Sequence, residues 1–160
     1  MTVREKQVGA PSGRVDVRLW LRLLSCSMII EKRLRRRFAE QFDTTLPRFD
    51  VLAALDRQGE GMTMSELSRA LLVSNGNVTA LVRQLERAGH VVSRSAPEDR
   101  RSSIVMLTPE GAKHFATLAK SHHAWIGKMF KGLDGGDQVE LYRLLDSLKR
   151  SIAADADEAG

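Results

Sequence analysis

TMSELSRALLVSNGNVTALVRQLERAG, running from Thr63 to Gly89, reads as two short amphipathic helices joined by a tight turn. Thr63-Met64-Ser65-Glu66 is a capping box, in which a hydroxyl and a carboxylate satisfy the first free N–H groups of a helix. That helix is expected to bury Leu67, Ala70 and Leu71 and to stop near Val73. Ser74 then caps a second helix, Asn75 to Ala88, with Val78, Leu81, Val82, Leu85 and Ala88 at the spacing of one apolar face. Its other face shows Asn75, Asn77, Thr79, Arg83 and Arg87, donors and acceptors that suit base edges and phosphates. Gly89 ends it. The pattern is a helix-turn-helix, and sequence reading on DNA is the leading expectation.

The next residues extend that reading. Val91-Val92-Ser93-Arg94 and Ser102 to Leu107 read as two strands, and between them Ser95 to Arg101 form a polar tip with Pro97 and paired arginines. A hairpin directly after a recognition helix is a wing, whose tip can reach a minor groove or flanking phosphates. Asp99 is expected to pin the loop by pairing with an arginine, since a carboxylate facing DNA is repulsive. Of Arg100 and Arg101, one holds the wing and the other enters a minor groove, while Arg94 contacts phosphate. Gly76, in the first turn of the second helix, lets backbone N–H groups approach a phosphate, and Ser74 both caps and touches phosphate. A merely solvated polar face is the competing reading; it leaves the wing and the basic balance unexplained. Thr108-Pro109-Glu110-Gly111 starts another helix, with proline at its first position.

Outward from this lobe, Leu19, Leu23, Cys26, Ile30, Leu34 and Phe38 form a heptad-like seam within a helix from Asp16 to about Phe42. Trp20, Leu24 and Met28 add a second stripe, so this helix must pack against more than its own domain. Thr45-Leu46-Pro47 starts a helix with Phe49, Leu52, Ala53 and Leu55 inward. Pro109 to about Lys131 is expected to bury Ala112, Phe115, Ala119, Ile126 and Met129; Gly132 and Gly135-Gly136 mark a turn, and Asp137 to about Ala154 forms the last helix. The fold class is mainly α with a small β-wing. Residues 1–15 are expected to be a flexible arm and 16–160 one domain, with a winged-helix lobe at 46–108 and dimerisation helices at 16–45 and 109–154.

Composition sets the remaining bounds. The 160 residues carry a formal net charge of +5, which favours a polyanionic partner, and 42% are hydrophobic, enough for a core. One cysteine forms no internal disulfide, and no apolar run suggests a signal peptide or a membrane span, so the expected location is the cytoplasm with no membrane partner. His122-His123 point about 100° apart on a helix and cannot share one ion unaided, so no metal is expected. No nucleophile elbow, P-loop or dinucleotide fingerprint occurs, which argues against an enzyme and against a bound cofactor.

In order and spacing, Met64-Ser65-Glu66-Leu67-Ser68, Asn77 to Val82, Leu85-Glu86, Asp99-Arg100-Arg101-Ser102 and Leu107 to Gly111 resemble the MarR family of bacterial regulators. The flanking helices extend the resemblance from about Asp16 to Ala153. It implies a winged-helix homodimer that binds a pseudo-palindromic operator in double-stranded DNA and, as a repressor, releases it on binding a small molecule. Leu46-Pro47-Arg48-Phe49-Asp50 and the long basic first helix resemble the branch that responds to aromatic carboxylates or their coenzyme A thioesters, and so to aromatic compound catabolism. In that family the ligand sits between the dimer helices and the DNA-reading lobe, which implies Trp20, Leu24, Ser27, Met28, Arg48 and Phe49 as lining. An arginine clamps a carboxylate or phosphate, and a Trp or Phe stacks on a ring. The competing reading puts Trp20 and Phe49 in the core and Arg48 on the surface near DNA. The cations from Lys32 to Arg37 could take coenzyme A phosphates, pair with acids, or meet DNA.

Three further classes stand as alternatives. Some relatives sense peroxides through a cysteine on the first helix; Cys26 sits there, but on the seam, where a buried neutral thiol is inert, and the chain's single tyrosine is the distant Tyr142. A ligand-independent architectural regulator would ignore aromatic acids. A protein-interaction module would scatter its cations, whereas Arg83, Arg87, Arg94, Arg100 and Arg101 cluster.

Overall fold

A computed structural model of the protein describes residues 13–99 and 101–158. Most of the expected arm, and Arg100 of the wing, lie outside these residues. The elements run α1 (Val15–Phe42), α2 (Leu46–Gln58), β1 (Met62–Thr63), α3 (Met64–Leu71), α4 (Asn75–Arg87), β2 (Val91–Ser95), β3 (Ser103–Leu107), α5 (Pro109–Phe130) and α6 (Gly135–Glu158). The fold is mainly α with a small antiparallel sheet of order β1-β3-β2. The described residues fall into two compact units, divided between Leu118 and Ala119.

In the first unit the core is built from one face of each helix. Leu34 and Phe38 of α1, Val51, Leu52 and Leu55 of α2, Leu67 of α3, and Val78, Val82 and Leu85 of α4 are buried with Val91, Val105 and Leu118. Phe49 sits between Phe38 and Phe115, at centroid distances of 4.9 and 5.6 Å. Thr45 caps α2 by accepting the Arg48 N–H, with a proline in the first helical turn. Ala70 and Ala112, expected inside, are exposed. In the two-turn α3, Leu67 and the half-buried Leu71 already fill the contact.

The sheet holds one strand that sequence reading did not foresee. β1 has two residues and pairs Met62 with Val105 and Thr63 with Ile104, so the wing is anchored just before α3 begins. Two residues are too few for an alternating pattern.

The second unit holds the latter part of α5, a short turn and α6. Gly135 and Gly136, expected in the turn, lie instead in the first turn of α6. Asp134 accounts for this: its carboxylate accepts the Asp137 N–H at 2.8 Å, and its carbonyl accepts that of Gln138 at 3.0 Å. A cap of this kind offsets the low helix propensity of two glycines.

Large apolar side chains remain uncovered on two helices. On α1 they include Val15, Leu19, Trp20, Leu21, Met28 and Ile29; on α6 they include Val139, Leu144, Leu145 and Ile152. Cys26, expected to be buried on the seam, is exposed. Among the described residues, no helix is long and apolar enough to cross a membrane.

Candidate nucleic-acid interface

The capping box at the start of α3 is formed in both directions. Thr63 Oγ1 accepts the Glu66 N–H at 3.2 Å, and a Glu66 carboxylate oxygen accepts the Thr63 N–H at 2.8 Å. The Thr63 N–H, and after it the Thr63 hydroxyl, hold the Glu66 carboxyl below its usual range. Leu72, Val73 and Ser74 make the turn. Leu72 adopts the left-handed conformation, at φ 54°, and the Val73 N–H returns to the Ser68 carbonyl.

Ser74 caps α4 as expected: its hydroxyl accepts the Asn77 N–H at 3.3 Å, while its carbonyl takes that of Val78. This leaves the first N–H groups of the helix, at Asn75 and Gly76, without an intrahelical partner. A Cβ on Gly76 would meet open space, so packing does not demand glycine there, and the backbone is open to an incoming phosphate. Asn75, Asn77, Arg83 and Arg87 are exposed. Thr79 differs: it is half-buried, and its hydroxyl donates back to the Asn75 carbonyl at 2.9 Å. Its proton is therefore committed, and its methyl and lone pairs are what it can offer a base.

The wing is a regular ladder, pairing Val91 with Leu107 and Arg94 with Ile104. At its tip the Ala96 N–H donates to the Ser102 carbonyl at 2.8 Å. Asp99 pins the loop through main-chain atoms: its carboxylate accepts the Arg101 N–H at 2.9 Å and its carbonyl accepts that of Ser102 at 3.0 Å. Arg94 and Arg101 are exposed. Where the wing meets α5, Thr108 donates its hydroxyl to the Gly89 carbonyl at 2.6 Å and its N–H to that of His90. Gly111 packs so close to the His90 carbonyl that a Cβ would not fit. The end of α4, the wing and the start of α5 are thus locked together.

The six ligand-lining candidates are not brought together as one set. Trp20, Leu24, Ser27 and Met28 share a face of α1, with Leu24 half-buried and the others exposed. Leu21, Leu24, Ser25, Met28, Ile29 and Lys32 border one largely apolar strip, and Ile29, Lys32, Arg33, Arg36 and Arg37 border a basic one adjoining it. Two cations of this run pair within α1, Arg35 with Glu31 at 3.6 Å and Arg36 with Glu40 at 3.5 Å. Phe49 is a core residue between two other rings. Arg48 is half-buried, and its Nε–H donates to Gln84 Oε1 of α4 at 2.9 Å. Sequence reading gave Gln84 no role. Its one signal was a polar side chain flanking an otherwise apolar edge.

Asp50, beside Phe49, is half-buried. Burial pushes its carboxyl up to about 6; Glu31 adds to the shift and Arg35 opposes it. His122 and His123 lie edge to face with centroids 6.0 Å apart, and among the described residues no group of three or more His, Cys, Asp or Glu is placed to hold a metal.

Comparison with known proteins agrees with this architecture. Residues 42–102 match the MarR family. The transcriptional activatory protein BadR of Rhodopseudomonas palustris is 33% identical over 140 residues, covering 83% of this chain and 79% of BadR. The crystal structure of a MarR family transcriptional regulator from Silicibacter pomeroyi superposes with a TM-score of 0.73 at 30% identity, over 86% of this chain and 94% of that one. The organohalide-sensing regulator RdhR-CbdbA1625, in its 2,4-dichlorophenol-bound form, shares the fold with a TM-score of 0.74 at 18% identity, over 92% of this chain and 89% of that one. A reciprocal capping box, a capped helix with its polar face outward and a main-chain-pinned wing are thus found in a chain whose likeness to such regulators extends well beyond its DNA-reading lobe. It belongs to the MarR family of winged helix-turn-helix transcriptional regulators, which are DNA-binding proteins rather than enzymes.

Proposed function

We propose that the protein is a homodimeric, operator-binding regulator whose hold on DNA is set by an aromatic carboxylate or its coenzyme A thioester. The observation that carries the DNA reading is the outer face of α4, where Asn75, Asn77 and Arg83 are exposed around an open N-terminal turn. In this reading α4 enters a major groove, with Asn77 on base edges and Arg83 and Arg87 on phosphates or guanine. Ser74, Asn75, Gly76 and Thr79 line the approach, and Arg94, Arg100 and Arg101 take the flanking backbone or minor groove. A second copy covers the apolar faces of α1 and α6, too large to stay wet, and its two-fold symmetry gives a pseudo-palindromic operator.

Support for the ligand class is the surface of α1, where an apolar strip runs into Lys32, Arg33, Arg36 and Arg37. An apolar ring followed by an anionic group matches that order of side chains. Trp20, Leu24 and Met28 offer the apolar side with the Ser27 hydroxyl beside them, and Arg48 has donors left for a carboxylate. A ligand there changes DNA affinity only as far as it binds the two states of the dimer unequally.

The test is binding of the purified protein to DNA from upstream of its own gene, titrated with hydroxycinnamates and their coenzyme A thioesters. Release by one of these is the expected result. Tight binding indifferent to all of them would leave a DNA reader and remove the aromatic ligand; no preference for any duplex would remove the operator reading.

A further inference from the structure

One half-buried hydrogen bond, from the guanidinium Nε–H of Arg48 to Gln84 Oε1 at 2.9 Å, joins α2 to α4. We infer that this bond fixes the rotation of α4 about its own axis and thereby sets how sharply the protein discriminates one DNA sequence from another. The inference rests on the reading of α4 as the helix that enters the groove. Arg48 and Gln84 are positioning residues in it, and neither touches a base.

Apolar packing alone leaves that rotation loosely defined. Val78, Val82 and Leu85 hold α4 on the core, but burial is non-directional and a row of aliphatic side chains tolerates a small turn about the helix axis. A hydrogen bond is directional and weakens within a few tenths of an ångström of misplacement. Gln84 lies seven residues after Asn77, and at about 100° per residue the two side chains leave the helix within about 20° of each other. Arg48 therefore grips the flank from which Asn77 projects.

The lever arm makes the effect large. For a side chain reaching about 6 Å from the helix axis, a rotation of about 10° moves its tip by about 1 Å. That shift is larger than the whole range of good N–H···O distances. A displaced amide loses its base contact, whereas a long, flexible arginine on a phosphate follows the movement. Sequence discrimination should fall while general DNA affinity remains.

The anchor itself is stiff. The Arg48 N–H belongs to the Thr45 cap, and the next residue, Phe49, is held between Phe38 and Phe115. The guanidinium is planar, so fixing Nε orients the whole group. The bond crosses 36 residues of sequence and ties the flank of α4 to the start of α2.

The experiment uses the full chain and two duplexes: one selected by the wild-type protein from a random pool, and a scrambled duplex of the same length and composition. Arg48→Met and Gln84→Leu each remove one hydrogen-bonding partner while keeping an apolar side chain in its place. Each is expected to lose about ten-fold in affinity for the selected duplex, equivalent to about 1.4 kcal/mol, and Gln84→Leu is expected to leave the scrambled duplex unchanged. The double variant should lose no more than either single one, and Gln84→Glu, which keeps an acceptor opposite Arg48, should keep the ratio between duplexes. For Arg48→Met or Gln84→Leu, equal losses on both duplexes or an unchanged ratio would overturn the inference, as would additive losses in the double variant or a lost ratio in Gln84→Glu. Should Arg48→Met fail to fold, Gln84→Leu and Gln84→Glu decide the matter. A random pool from which the wild type enriches no sequence would overturn the operator reading together with the inference.

Discussion

The imidazole rings of His90 and His114 lie stacked, with centroids 4.2 Å apart and planes 13° from parallel. His90 follows the end of α4 and His114 stands in α5, so the stack reinforces the junction that Thr108 and Gly111 make beside it. Burial lowers the His114 pKa, and the neighbouring His90 lowers it further. The unfolded chain then binds this proton more readily than the folded one. The contribution is fully present above the ordinary imidazole value and is lost as pH falls through the depressed one. His114→Phe keeps a ring and removes the titration. Its melting temperature should depend less on pH than that of the wild type between about pH 7 and about pH 5. An unchanged slope would mean the stack contributes no proton linkage.

Asp50 works in the opposite sense. Its carboxyl is raised from 3.8 to about 6 by burial and by Glu31, so the folded state holds the proton more tightly than the unfolded one. Stability from this group is fully present below its unfolded value and is lost as pH rises through about 6. Asp50→Asn removes the cost of a half-buried charge. It should stabilise the protein at neutral pH by on the order of 1 kcal/mol, after allowance for solvent screening. The gain should all but vanish by about pH 3, below the ordinary carboxylate value, where the carboxyl is largely protonated in both states. Urea unfolding at the two pH values measures it, and an equal gain at both would point to packing rather than charge.

Leu72 is 90% exposed and has φ 54°, in the left-handed region that favours glycine. A left-handed L-residue costs roughly 1–2 kcal/mol, while glycine adds roughly 0.5–1 kcal/mol of chain entropy to the unfolded state. Leu72→Gly should therefore stabilise by up to about 1 kcal/mol, read as a higher urea midpoint at unchanged slope. A lower midpoint would show that the leucine side chain makes a contact worth more than its strain.

The parts of the fold legible in the sequence are those built by neighbours. The Thr63 and Ser74 caps, the apolar face of Val78, Val82 and Leu85, and the wing strands each depend on residues a few positions apart, where spacing reports geometry. Arg48–Gln84, His90–His114 and the pairing of β1 with β3 join residues far apart in sequence, and no periodicity announces them. Phe49 shows a different limit. A helix pattern says that a side chain points inward, and the same pattern serves a ring that lines a cavity and one that fills a core between Phe38 and Phe115. Cys26 shows the converse: its seam is buried at Leu34 and Phe38, half-buried at Leu23 and Ile30, and exposed at Leu19 and Cys26, because the first half of α1 lies outside the core of its own unit.

Asn77 and Arg83 both project from the exposed side of α4, but their chemistry separates them. An asparagine amide pairs in two-pronged fashion with adenine, which makes it a reader of sequence; an arginine on phosphate releases counterions whatever the sequence. The Thr79 hydroxyl proton is committed to the Asn75 carbonyl, so Asn77 is the chief neutral side-chain donor on the middle of this face. Asn77→Ala should cost about 1–3 kcal/mol on the preferred half-site and relax discrimination at one base pair, leaving other duplexes and the salt dependence unchanged. Arg83→Ala should weaken binding to all duplexes alike and lower the slope of log affinity against log salt by about 1. Titrations of both variants against single-base operator variants at several salt concentrations distinguish the two. If each variant kept wild-type affinity for every duplex, α4 would not be the helix in the groove. If Arg83→Ala instead relaxed preference at one base pair, the arginine would be reading guanine rather than holding the backbone.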